Sequence, residues 1–272
     1  LSKKKISSLE ASAKKSLKSF EAKQNIVDHR VAVRNKDNRL AVIVTAAVIL
    51  IASASQFLYF SFGPGVSPSA CIHFTQTHFP DVDGKPNPAQ IPDAAISECR
   101  DWTGKMVINN QTLKITLHGN EAPQAVGNFI KLSNTDGFYN GVPCSRLTTS
   151  GIFVLQCGDN RGDGTGDPGY RFGPIENAPE AAKGEVPTYK KGWLAMARRS
   201  GDAKSMGSQF FIVYADSKIP NDAVGGYSVF GEVTSGLSKL NSIIKAGTKK
   251  GNSDGPPKIA TNIKSIKLSK KQ

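Results

Sequence analysis

Between residues 101 and 272, short apolar or alternating runs recur between turns rich in glycine. They fall at 105–108, 113–117, 142–147, 152–156, 193–197, 210–214, 228–233 and 259–268. Runs this short, punctuated by turn residues, predict strands, and eight or so of them predict a closed β-barrel. Two stretches carry apolar residues at three- and four-residue spacing instead. Val126, Phe129, Ile130 and Leu132 mark a helix over 122–132, and Leu240, Ile243 and Ile244 mark another over 237–246. Helices of this kind would cover the two ends of a barrel.

The N-terminal third has a different pattern. Residues 40–62 contain no charge at all; as a helix they would span about 34 Å, enough for a bilayer core of roughly 30 Å. Gly63-Pro64-Gly65 stops the run, and Tyr59 among Phe57, Phe60 and Phe62 is placed as an interfacial aromatic. Ahead of it, Ile6, Leu9, Ala13, Leu17 and Phe20 put a thin apolar stripe on a Lys-rich helix over residues 3–30. Such a helix suits anionic lipid or a neighbouring helix, with a solvated arm as the alternative.

Charge sets the orientation of this segment. Residues 1–39 hold 11 Lys/Arg against 4 Asp/Glu, which is +7 of the formal +13, and basic flanks stay on the cytoplasmic side. A cleavable signal sequence ending near Ala52-Ser53-Ala54 is the rival. The long basic region before it and the apolar run beyond it favour an uncleaved anchor. The expected organisation is a basic cytoplasmic arm over 1–39, a transmembrane helix over 40–62, an extracytoplasmic proline-rich tether over 63–100, and a barrel domain over 101–272. The chain is thus expected in the cell membrane, single-pass, with its large domain outside.

A basic chain invites the question of nucleic acid. The tail lysines Lys264, Lys267, Lys270 and Lys271 have no aromatic residues between them, so a base-stacking surface is not expected. Four cysteines in an exported chain allow three pairings. Cys71 with Cys99 would close the tether as a loop, and Cys144 with Cys157 would bridge two candidate strands; reduced, partly buried thiols are the alternative. Cys71, His73 and His78 lack any standard zinc spacing, so no metal is expected.

The motifs carry the chemistry. Gly192-Trp-Leu-Ala-Met-Ala-Arg198 is followed after eight residues by Gly207-Ser-Gln-Phe-Phe-Ile212. Before this pair stand Ala122-Pro-Gln-Ala-Val-Gly-Asn-Phe129, Gly137-Phe-Tyr-Asn-Gly141, Cys144-Ser-Arg146-Leu, Phe153-Val-Leu-Gln156-Cys-Gly158-Asp159 and Gly164-Thr-Gly166; after it comes Val229-Phe230-Gly231. In this order, over about residues 101–270, the chain resembles the cyclophilins, the peptidyl-prolyl cis-trans isomerases.

That resemblance implies an eight-stranded closed β-barrel capped by two helices, and acceleration of X-Pro bond rotation without cofactor or metal. It implies Arg146 as the catalytic cation, with Gln156 orienting it or the substrate carbonyl. Phe153, Val154, Phe211 and Phe230 are implied around the proline ring, and Gln209 towards the neighbouring subsite. Ala197 would let a peptide pass, and the backbone of Arg198, where the family usually has Asn, would bind it. Tyr227 stands where many members carry His. Two extra residues separate Arg146 from Gln156, and two more lengthen the loop before Gly207. The implied partners are proline-containing polypeptides, with exported chains refolding near the membrane as clients. A non-catalytic chaperone or scaffold that only holds proline segments is the alternative.

Overall fold

A computed structural model describes residues 3–62 and 90–271, which belong to two separate compact units. The first is a single helix, α1 (Lys3–Phe62). The expected arm and the expected transmembrane segment are therefore one continuous element, because residues 31–39 between them contain neither Gly nor Pro to break it. Its apolar stretch is long enough to cross a membrane, and the side chains of residues 40–59 are all exposed.

In the second unit, a sheet is built from β1 (Asp101–Ile108), β2 (Gln111–His118), β3 (Arg146–Thr148), β4 (Val154–Cys157), β6 (Trp193–Met196), β7 (Phe210–Val213), β9 (Val229–Ser235), β10 (Asp254–Gly255) and β11 (Ile263–Lys270). Their order is β10-β3-β4-β7-β6-β9-β2-β1-β11, and β5 (Thr188–Tyr189) pairs separately with β8 (Ser217–Lys218). The unit is mainly β as expected, but its antiparallel sheet is an open half-barrel of nine strands among the described residues, not a closed barrel of eight. Between its ends the ladder shrinks to one bridge, Pro143 with Asn262, flanked by hydrogen bonds from Cys144 N to Thr261 O and from Ile263 N to Val142 O. Those bonds come from the neighbours of Pro143, as in a non-hydrogen-bonded antiparallel pair, and of the run expected at 142–147 only Arg146 and Leu147 fall in a ladder strand, β3.

Both expected cap helices form. The first is α2 (Pro123–Ile130), which continues in a wider π turn over Lys131–Thr135; the second is α3 (Asn241–Ala246), entered through a 3₁₀ turn at Leu237–Leu240. Residues 90–100, expected as the end of the tether, pack on the domain. The 3₁₀ turn Ala94–Ser97 lies against α2, where Gly127 leaves so little room that a Cβ would come within 2.9 Å of Asp93 O.

Period-two alternation divides the strands between two cores. Leu155 and Cys157 of β4, Leu194 and Met196 of β6, Phe210 and Ile212 of β7, and Phe230 of β9 join the main core with Phe129 and Tyr139. Their neighbours in sequence, Val154, Ala195, Phe211, Val213 and Val229, turn the other way and meet Tyr189 and Ile219 in a smaller cluster. The aromatic centre of the main core is close: Phe129 lies 5.0 Å from Phe230 and 5.3 Å from Phe210 by ring centroids.

The N-terminus of α2 is capped from a distance. Ala122 offers no side-chain cap, and the fully buried Glu176 accepts from Gln124 N and Ala125 N, each at 2.9 Å. Burial pushes this carboxyl up from 4.5 to about 8, against the two N–H groups that pull it down. Because the folded state holds the proton more tightly than the unfolded state, Glu176 stabilises the domain most below pH 4.5 and loses that contribution as pH rises towards 8. The stability advantage of the parent over Glu176→Gln, measured by urea melts, should shrink across this window; a widening gap would contradict the assignment.

Candidate active site

The smaller cluster opens onto a cavity of about 200 Å³ lined by Arg146, Ile152, Val154, Gln156, Ala197, Arg198, Phe211, Ile219 and Tyr227. Its chemistry is uneven by construction. Val154 and Phe211 arrive from the alternating positions of β4 and β7, where Val154 pairs with Val213 and Gln156 with Phe211. Ile152, Ile219 and Tyr227 complete an apolar wall, with the Tyr227 ring edge-on to Phe211 at 5.4 Å.

Arg146 and Gln156 face each other across the β3–β4 ladder. Asp254 of β10 grips the guanidinium with both carboxylate oxygens, Nε to Oδ1 at 2.8 Å and Nη2 to Oδ2 at 2.7 Å. The pair is mutually reinforcing: hydrogen bonding to Asp254 raises the Arg146 pKa, and bonding to Arg146 lowers that of Asp254. The fork leaves Nη1 directed along the other edge, 3.5 Å from Gln156 Oε1. Gln156 Nε2 in turn donates to Gln209 Oε1 at 2.8 Å, and Gln209 Nε2 donates to Gly164 O and Gly166 O at 3.1 and 2.8 Å. Gln209 is thus fully engaged in shaping a second cavity of about 210 Å³, which shares Gln156, Ala197 and Arg198 with the first and extends over Gly164–Asp167.

Seven residues singled out by resemblance therefore converge on one cavity: Arg146, Val154, Gln156, Ala197, Arg198, Phe211 and Tyr227. Two do not line it. Phe230 sits in the main core because it is one residue out of step with Val229, and the alternation turns it away. Phe153 is likewise out of step with Val154; its ring lies against Tyr214, centroids 5.9 Å apart. The reading from sequence did not place Ile152 and Ile219 in the wall, nor Asp254 beside Arg146. Asp254 lies 108 positions from Arg146, and no local spacing connects them.

Cys144, two residues before Arg146, and Cys157, next to Gln156, are joined in a disulfide, so the segments bearing that pair are tied covalently. Cys99 is also disulfide-bonded. Cys71, the partner expected for it, lies outside the described residues, as do His73 and His78.

The chain matches the cyclophilin type peptidyl-prolyl cis-trans isomerase family over residues 104–268. It is 37% identical over 214 residues to the probable peptidyl-prolyl cis-trans isomerase B of Mycobacterium tuberculosis H37Rv, covering 75% of this chain and 67% of that protein. The peptidyl-prolyl cis-trans isomerase B of Bacillus subtilis is 39% identical over 125 residues, 46% of this chain and 78% of its own length. Among solved structures, a Cryptosporidium parvum cyclophilin type isomerase determined in the presence of the dipeptide Ala-Pro matches with a TM-score of 0.50 and 28% identity, over 62% of this chain and 99% of that one.

Proposed function

The chain belongs to the cyclophilin-type peptidyl-prolyl cis-trans isomerase family, and we propose that it is a membrane-anchored isomerase whose catalytic group is Arg146. The observation that carries the assignment is a fixed guanidinium beside an apolar cavity. Rotation about an X-Pro bond faces a barrier of roughly 20 kcal/mol because twisting breaks amide resonance. In the twisted state the prolyl nitrogen regains its lone pair. A cationic donor already in place there stabilises the twisted state more than either planar one, which is the requirement for catalysis.

Each part of the site then has a task. Val154, Phe211, Ile219 and Tyr227 take the pyrrolidine ring, and the Nη1 edge of Arg146, left free by Asp254, meets the prolyl nitrogen. Gln156 holds that edge and the neighbouring subsite in register through Gln209. The backbone of Arg198 lies between the two cavities, where it would pair with the peptide main chain, and Ala197 leaves room for it. The Ala-Pro dipeptide present with the Cryptosporidium relative is the smallest substrate fragment this arrangement would take.

The anchor gives the activity a location. Residues 1–39 would lie in the cytoplasm, 40–62 would cross the bilayer, and 63–89 would tether the domain outside, where exported chains refold; residues 90–100 pack with that domain. The basic arm and the uncharged stretch of α1 support that orientation.

The test uses the full chain in detergent micelles with an Ala-Pro peptide whose cis/trans exchange is followed by NMR. Arg146→Ala should lower kcat/KM on the order of 100-fold, as loss of one preorganised electrostatic group does; near-parental activity would remove Arg146 from the mechanism. For orientation, protease added outside intact cells should digest the domain and leave the arm protected. Cleavage of the arm instead would reverse the topology.

A further inference from the structure

The strongest unassigned feature is an ion pair between a buried arginine and a partly exposed aspartate on the rim of the proline cavity. Arg198 follows β6 and its side chain is only 1% exposed. It bonds directly to the loop 222–226. Nη1 and Nη2 donate to Asp222 Oδ2 and Oδ1, both at 2.9 Å. Nε donates to Gly226 O at 2.7 Å, Nη2 to Gly225 O at 2.5 Å, and Nη1 to Arg199 O at 3.0 Å. These five bonds use every N–H that a guanidinium has, so the Arg198 side chain has no donor left for a substrate.

Asp222 is as fully committed. It also accepts from Ser200 Oγ at 3.1 Å, Gly201 N at 2.8 Å and Val224 N at 3.0 Å. One carboxylate therefore ties the lengthened loop after Arg198 to the loop that carries Ile219 and Tyr227. The guanidinium carbon also lies 4.9 Å from the centre of the Tyr227 ring, which is itself edge-on to Phe211. Gly226 also lets the loop pack on Tyr189, where a Cβ would sit 2.7 Å from Tyr189 Oη.

We infer that Arg198 and Asp222 form a latch that holds Ile219 and Tyr227 against the proline ring, which makes Asp222 a positioning residue for substrate binding. The inference rests on the proposed proline site. Opening the latch loosens one wall of the cavity and leaves Arg146, Gln156 and Asp254 in place. Binding of the ground state and of the twisted state then weaken together, which appears in KM and not in kcat.

The experiment measures kcat and KM separately, from the line shapes of an Ala-Pro peptide over a concentration series with the full chain in micelles. Asp222→Asn should raise KM about tenfold, the scale of losing one apolar contact surface, with kcat within about twofold of the parent. Asp222→Asn leaves Arg198 buried without its counter-charge and risks unfolding, so thermal melts accompany the kinetics. Arg198→Asn combined with Asp222→Asn removes both charges and carries the test if the single variant does not fold. Its KM should match that of the single variant, because two halves of one latch are not additive.

An unchanged KM, or a fall in kcat alone, would overturn the latch. Arg146→Ala in the same series separates the two levels. If it abolishes exchange while the Asp222 variants keep the parental KM, the latch alone has failed. If it leaves exchange intact, the proline site has failed with it.

Discussion

The alternation of side chains along four adjacent strands is the constraint on which the site depends. β4, β7, β6 and β9 each send one set of residues into the main core and the intervening set to the opposite face. The main core, built around Phe129, Phe210 and Phe230, fixes the strands in one register, since a slip of one residue would exchange the two faces. The smaller face is then free to be shaped for a ligand. It carries Val154 and Phe211, borders Gln156, and ends where Arg146 reaches across from β3.

Two arginine–carboxylate pairs stand on either side of this face and differ in burial. Arg146 and Asp254 are about half exposed, with side chains 42% and 51% accessible. Their Coulomb attraction is weakened by water, so the value of the bidentate contact is geometric: it fixes the plane of the guanidinium and which edge remains available. Arg198 is almost wholly buried, and its partner Asp222 is held well below the usual carboxylate range by hydrogen bonding to Arg198 and to Gly201 N. One pair leaves a donor for chemistry; the other consumes all of them in structure. The same residue type thus serves two functions, distinguished by how many of its N–H groups are already satisfied.

Local pattern made most of the fold legible. The helical spacing of Val126, Phe129 and Ile130 marks α2, and the apolar runs fall on the principal strands. The site was legible where sequence neighbours share it, as Val154 and Gln156 do on β4. It was not legible where the partner is distant in the chain: Asp254 for Arg146, Asp222 for Arg198, and Glu176 for the start of α2. Phe230 shows a different limit. A motif names residues in a row, and only the pleat decides which of two neighbours faces the cavity. Barrel closure shows a third limit: apolar periodicity runs on through 142–147, but the seam there is a single bridge, Pro143 with Asn262.

The most direct measurement is a crystal structure of this chain with an Ala-Pro peptide bound. The account predicts the pyrrolidine ring against Val154, Phe211, Ile219 and Tyr227, the Nη1 edge of Arg146 directed at the prolyl nitrogen, and Asp254 still gripping the opposite edge. A proline ring seated elsewhere, such as the groove between Lys105, Lys114 and Lys267 on the outer face of the sheet, would contradict it.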